Sequence, residues 1–507
     1  MNRKFMKIKK FNILGAVEKV GNALPHPAAL FAIFGLITLL ISLIGYYLQW
    51  EGINPGNGET VKIINLLSKD GLHKILLEMV DSYTSFAPLG IVMVAMLGIG
   101  IAESSGLIKS SINLLLVKAP KNSITFFIVF TGILSNIASD LGYILIIPLA
   151  GVIFHSLGRH PIAGMAAAFA GVSGGFSANL LIGTIDPLLA GLSTEAAQIV
   201  NPDYYVLPTA NYYFMVVSTF VIAITGTWVT NAIVEPRLGK YTGNIVKEEI
   251  TNLSIKEKKG LKWSSFVFLL FIILISASLI PDNGILRAED NSILHSPLLK
   301  GFIAVLFIIV GTCGIVYGYA SGTFKNHTDV INGMNSSFKG LISFLVLVFF
   351  ASQFVAWFKW SNLGIMVAVK GAAFLQSAEL GLIPLVILFI IISGIINMFM
   401  GSASAKWAIM APIFIPMFML LGYSPELSQA VYRIGDSITN LISPMMSFFA
   451  LIIVYFEKYD SESGIGSLIA TMLPYSISFF IVWTLLMIGW ILLGLPLGPE
   501  AGLYYTN

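Results

Sequence analysis

The stretch from Gly394 to Pro444 constrains this chain more than any other. An apolar arm, residues 383–400, runs into Gly401-Ser-Ala-Ser-Ala-Lys-Trp407 and returns as a second arm, residues 408–421. A helix needs about 20 apolar residues to cross a bilayer, so arms of this length predict a re-entrant hairpin with a small, polar tip at membrane depth. After Gly422-Tyr-Ser-Pro425 comes another hydrophobic segment, interrupted by Arg433, Asp436, Ser437, Thr439, Asn440 and Ser443-Pro444. Charge and non-helical backbone are tolerated at that depth only inside protein or beside a wet cavity. That cavity is the expected functional site.

Charge elsewhere is too scarce to cover a water-soluble surface: 56% of the 507 residues are hydrophobic and 11% are charged. The repeated apolar blocks predict an all-α polytopic membrane protein whose surroundings are the lipid bilayer. The 29 basic and 26 acidic residues nearly balance, which argues against nucleic acid as a partner. A single cysteine, Cys313, excludes an internal disulfide and reads as a small buried hydrophobe.

Basic residues in short loops give the orientation. Residues 1–27 form a cytoplasmic tail, and the first span covers 28–48. The acidic loop 50–85 lies outside, and a second span, 86–101, leads to an amphipathic piece. A first hairpin follows, with arms 124–134 and 141–157 around the tip Ser135-Asn-Ile-Ala-Ser-Asp140. Its broken span, 162–182, contains Gly171, Gly174, Gly175, Ser177 and Asn179, too much glycine for a continuous helix. Further spans lie at 212–234, 264–280, 299–319, 342–358 and 477–493, with the C-terminus outside. The tally is nine transmembrane helices and two re-entrant hairpins. Organisation follows: 28–120, first scaffold spans; 121–200, first hairpin and broken span; 201–380, scaffold; 381–456, second hairpin and broken span; 457–507, last span and external terminus.

The two hairpin units match. Asn136 precedes Asn179 by the same 43 residues that separate Asn397 from Asn440, and both returning arms end in a glycine followed three residues later by proline. Charge bias puts the hairpins on opposite sides of the membrane, which is the mark of an inverted repeat in secondary transporters.

Arg433 and Asp436 are three apart and share a face if this segment is helical. They either pair with each other or leave the guanidinium to fork onto a substrate carboxylate. Trp407 beside Ser404 offers an aromatic face and a hydroxyl, and Lys406 reads as a snorkelling side chain. Asn136, Asn179, Asn397 and Asn440 supply carbonyls suited to sodium, or cap half-helices. Asp140 and Asp186 are acids that could carry protons. No cofactor is expected; the coupling ion is a proton or sodium.

The motifs Gly401-Ser-Ala-Ser-Ala-Lys-Trp-Ala-Ile-Met-Ala-Pro, Arg433-Ile-Gly-Asp-Ser and Ser443-Pro444 resemble the AbgT family of p-aminobenzoyl-glutamate transporters, as do Gly158-Arg-His-Pro-Ile-Ala-Gly, Asn179-Leu-Leu-Ile-Gly-Thr-Ile-Asp186 and Glu235-Pro-Arg-Leu-Gly. The resemblance implies a homodimer in the bacterial inner membrane, with a core holding both hairpins and an outer scaffold. It implies export of folate catabolites and sulfonamides in some members and uptake of p-aminobenzoyl-glutamate in others. Residues tied to transport in such proteins fall on Asp186, Asn397, Ser404, Trp407, Pro425, Arg433, Asp436 and Pro444. Competing readings are a passive channel and an intramembrane aspartyl protease prompted by Gly435-Asp436. The protease pattern fails because Arg433 stands where it needs glycine. No phosphate-binding loop is present to suggest ATP drive.

Overall fold

The computed structural model describes residues 25, 27–53, 60–117, 120, 123–138, 142–243, 253–288 and 296–505. The fold is mostly helical. Among these residues, seven helices are long and apolar enough to cross a membrane, or eight if the bent helix His327–Trp360 is counted. Six of the seven contain or overlap expected spans: Pro27–Tyr47, Lys69–Ser105, Tyr212–Leu238, Ile255–Leu279, Phe302–Ser321 and Ile465–Leu492. Of the expected cytoplasmic tail only residues 25 and 27 are described, and Asp140 lies outside the described residues.

Two expectations need correction. The loop expected at 50–85 contains a two-stranded antiparallel ribbon, Glu51–Ile53 with Thr60–Lys62, and a helix, Lys69–Thr84. Ser68 starts that helix by accepting from the Gly71 amide. The second hairpin's returning arm is the seventh apolar helix, Ala403–Leu420; at 18 residues it spans about 27 Å. It begins five residues earlier than expected because Ser402 caps it, accepting from the Ala405 amide at 3.3 Å. Lys406 and Trp407 therefore belong to a buried helical turn, not to an open tip.

The two hairpin units are built alike. Leu382–Asn397 and Ala403–Leu420 lead into Pro425–Thr439, a break, and Phe449–Glu457. Likewise Ile124–Leu134 and Ile147–Ser156 lead into Pro161–Phe169, a π-turn, a break, and Ile185–Ala197. Each returning arm ends on a left-handed glycine, Gly158 (φ 75°) or Gly422 (φ 85°). The next amide bonds back to the helix, Arg159 to Phe154 O at 2.8 Å and Tyr423 to Phe418 O at 2.9 Å, and a proline opens the next helix.

The distribution of polarity suits a bilayer. Ile255–Leu279 leaves Phe266, Leu269 and Ile273 exposed, an apolar surface for lipid. Pro425–Thr439 carries Glu426, Gln429, Arg433 and Asp436 and is buried along nearly its whole length. Gly435 admits this close packing: a Cβ there would lie 2.4 Å from the Ile390 carbonyl oxygen. Gly171 does the same in the first unit, 2.2 Å from Val129 O. The units meet where the Ser177 amide donates to Ser437 Oγ at 3.1 Å.

Candidate functional site

Each cation in the core has an acid partner, and neither pairing is the one that the i, i+3 spacing suggested. Arg433 Nη1 lies 2.7 Å from Asp186 Oδ1, joining the second broken span to the first, with side chains 5% and 3% exposed. Asp186 also accepts from the Gly183 amide at 2.7 Å through Oδ2, so the unwound stretch before Ile185–Ala197 orients the carboxylate. Arg433 Nη2 meets Met215 Sδ at 3.4 Å, and Nε is buried without a hydrogen-bond partner.

Asp436 instead pairs with Lys406, whose ammonium also donates to Asn397 Oδ1. Lys406 is wholly buried, so it does not snorkel. With its side chain wholly buried one turn past the Ser402 cap, Lys406 has a carboxylate and an amide oxygen around its ammonium in place of water. Asn397 Nδ2 lies 2.8 Å from each of three acceptors, Asp436 O, Thr439 Oγ1 and Asn440 Oδ1. Ser443 Oγ donates to Asn397 O at 3.0 Å, which brings the Ser443-Pro444 break against the first arm.

The structure thus brings Asn397, Arg433, Asp436, Asn440 and Asp186 together, with Pro444 next to them in the chain. Pro425 stands apart at the helix start, about two turns from Arg433. Ser404 is half-buried, its Oγ 3.3 Å from Ser402 Oγ. Trp407 presents no open face: the indole is fully buried and stacks on Tyr432 at 4.4 Å. In the first unit, Asn136 and Asn179 both donate to Ile133 O, at 3.1 and 3.4 Å. Asn179 Oδ1 accepts from the Leu180 and Leu181 amides, whereas Asn136 Oδ1 is buried without a partner.

A polar relay escaped the sequence reading. Trp407 Nε1 donates to Ser193 Oγ (2.9 Å), Ser193 to Gln429 Oε1 (2.7 Å), Gln429 to Asn211 Oδ1 (3.0 Å), and Asn211 to Glu426 O (2.9 Å). Tyr204 OH donates to the Glu426 carboxylate at 2.9 Å. Gln429 and Glu426 recur with Arg433 and Asp436 at helical spacing along one segment; that periodicity was the available signal. The cavity beside Arg433, bounded by Ser177, Asn211 and Trp483, is about 10 Å³. It has room for about one water and none for an aromatic amide, so a substrate reaches Arg433 only after these helices separate.

A family model described as "AbgT putative transporter family" matches residues 12–505. The p-aminobenzoyl-glutamate transport protein of Escherichia coli K12 is 38% identical over 493 residues, 97% of this chain and 96% of that protein. The YdaH transporter of Alcanivorax borkumensis superposes with a TM-score of 0.89 at 44% identity, over 94% of this chain and all of that one. MtrF of Neisseria gonorrhoeae, described as illuminating a class of antimetabolite efflux pumps, superposes at 0.92 with 50% identity, over 96% of this chain and all of that one.

Proposed function

The chain belongs to the AbgT transporter family, and from that premise we propose that it moves p-aminobenzoyl-glutamate and related folate catabolites across the bacterial inner membrane by proton-driven secondary transport. The observation that carries this reading is the buried Arg433–Asp186 pair. A guanidinium suits a carboxylate ligand, and Asp186 holds the place that such a ligand would take. Asp186 and Asp436 are the acids that carry protons when a substrate carboxylate releases them. Export of sulfonamide-type antimetabolites belongs to the same reading, prompted by the likeness to an efflux pump. The two hairpin units act as the transporting core, the remaining helices as scaffold, and two copies associate. Trp407 and Ser404 take part once the core opens, Trp407 by exchanging its Tyr432 stack for the substrate ring.

Sodium coupling is the second reading, favoured by the unpartnered Asn136 Oδ1. In the second unit the corresponding position argues for the proton: Asn397 Oδ1 faces Lys406, and Asn440 Oδ1 faces Asn397 Nδ2. An ammonium occupies the space between carbonyl and carboxylate that a sodium ion would need. The deciding experiment is uptake into proteoliposomes with pH and sodium gradients imposed separately. Accumulation that follows the pH gradient alone is expected; accumulation that follows sodium alone would overturn proton drive. Flux that never exceeds equilibration would point to a channel.

A further inference from the structure

We propose that Lys406 is a second carboxylate-binding cation, so that the core prefers substrates bearing two carboxylates over those bearing one. This rests on the proposed transport of an aromatic amide of glutamate. Among the described residues, Lys406 and Arg433 are the buried lysine and arginine, each bound to one aspartate. Both retain donor capacity that the protein leaves unused. An ammonium has three N–H donors, and Lys406 uses two, on Asn397 Oδ1 and Asp436 Oδ1. A guanidinium has five, and the Nε of Arg433 is buried with no acceptor. Leaving such donors unmade is costly for a pair with only a structural task, since a second oxygen could complete it. A site that exchanges one carboxylate for another has a use for them.

Spacing and access agree. Asp436 lies three residues from Arg433 on one helix, so their Cβ atoms are about 5–6 Å apart. Lys406 reaches Asp436 from the facing arm, while Arg433, from the same helix as Asp436, reaches Asp186. The α- and γ-carboxylates of glutamate give such a ligand two anionic ends, one for each cation. Lys406 is one turn along the arm from Ser402, which is exposed, with half-buried Ser404 between them. The Lys406 amide donates to Ser402 O at 3.1 Å within that turn. Each of the two cations faces one aspartate in the resting core, and a dicarboxylate displaces both aspartates where a monocarboxylate displaces one.

The test compares binding of p-aminobenzoyl-glutamate with that of p-aminobenzoyl-glutamine, which has the same shape and a neutral γ-amide, using purified full-length protein. The wild type should bind the glutamate compound at least about tenfold more tightly, the value of one charge-assisted contact. The double variant Lys406→Gln with Asp436→Asn removes both charges together, and the preference should fall to about twofold or less. Asp436→Asn alone frees Lys406 from its competitor, so the preference should persist or grow, whereas loss of a merely structural pair would weaken both ligands equally. Equal binding of the two compounds by wild type, loss of the preference in Asp436→Asn, or its survival in the double variant would each overturn the assignment. If the double variant does not fold, wild type and Asp436→Asn decide. Wild-type protein that binds neither compound would instead sink the substrate assignment on which this inference rests.

Discussion

Arg433 pairs with Asp186, not with Asp436 three residues away: Nη1 and Oδ1 are 2.7 Å apart, and both side chains are buried. The pair bridges the two repeat units, so any motion that separates the broken spans must break it or replace one member. Under the proposed function, replacement by a substrate carboxylate would make binding and opening one event.

Arg433→Ala should abolish p-aminobenzoyl-glutamate transport and leave Asp186 buried without its cation, at a cost of about 3–5 kcal/mol. Arg433→Gln combined with Asp186→Asn should recover most of that stability and none of the transport. Thermal unfolding in detergent, beside transport in proteoliposomes, checks both. Recovery of transport in the double variant would show that the guanidinium does not hold the substrate. Arg433→Lys should rescue poorly, because a point charge lacks the fork.

Asp436→Asn should stop uptake driven by a pH gradient while substrate exchange without a gradient survives. The amide cannot carry a proton, yet it can still accept from Lys406. Parallel loss of exchange and driven uptake would make Asp436 a binding residue only.

Gly171→Ala and Gly435→Ala each place a methyl group 2.2 or 2.4 Å from a carbonyl oxygen, so each should destabilise the fold by about 1–3 kcal/mol. Gly489→Ala, where a Cβ meets nothing within 4 Å, should be neutral or stabilising by about 0.5–1 kcal/mol. Unfolding temperatures of the three variants test this directly.

Burial lowers the pKa of His160, which lies between the first returning arm and its broken span, below its ordinary 6.5; Glu235 and Asp460 oppose the shift without cancelling it. The unfolded chain binds the proton more readily than the native one, so stability rises with pH through this range and is lost as pH falls below about 6.5. The unfolding temperature of wild type should therefore drop between pH 7 and pH 5.5, and more steeply than that of His160→Gln. Equal slopes would remove His160 from the explanation.

Much of the architecture was legible because its causes are local. Apolar runs of spanning length, the Gly158…Pro161 and Gly422…Pro425 punctuation, and the equal spacing of Asn136–Asn179 and Asn397–Asn440 follow from bilayer thickness and helix-end chemistry. The cost of Arg433 in an apolar segment called for a buried partner without saying which residue supplies it. Family-level motifs across the chain identified the transporter class.

Pairing was decided only by tertiary structure. Helical spacing made Asp436 the natural partner of Arg433, but the hairpin arm carrying Lys406 packs against Pro425–Thr439 and takes Asp436, while the unwound segment at Gly183 brings Asp186 to Arg433. Sequence alone made Lys406 a snorkelling residue and Trp407 an open face; a helix starting at Ser402 buries both. The physical reason is that a charge in a low-dielectric core is satisfied by whichever opposite charge the packing delivers within a few ångströms, and sequence distance has no part in that choice.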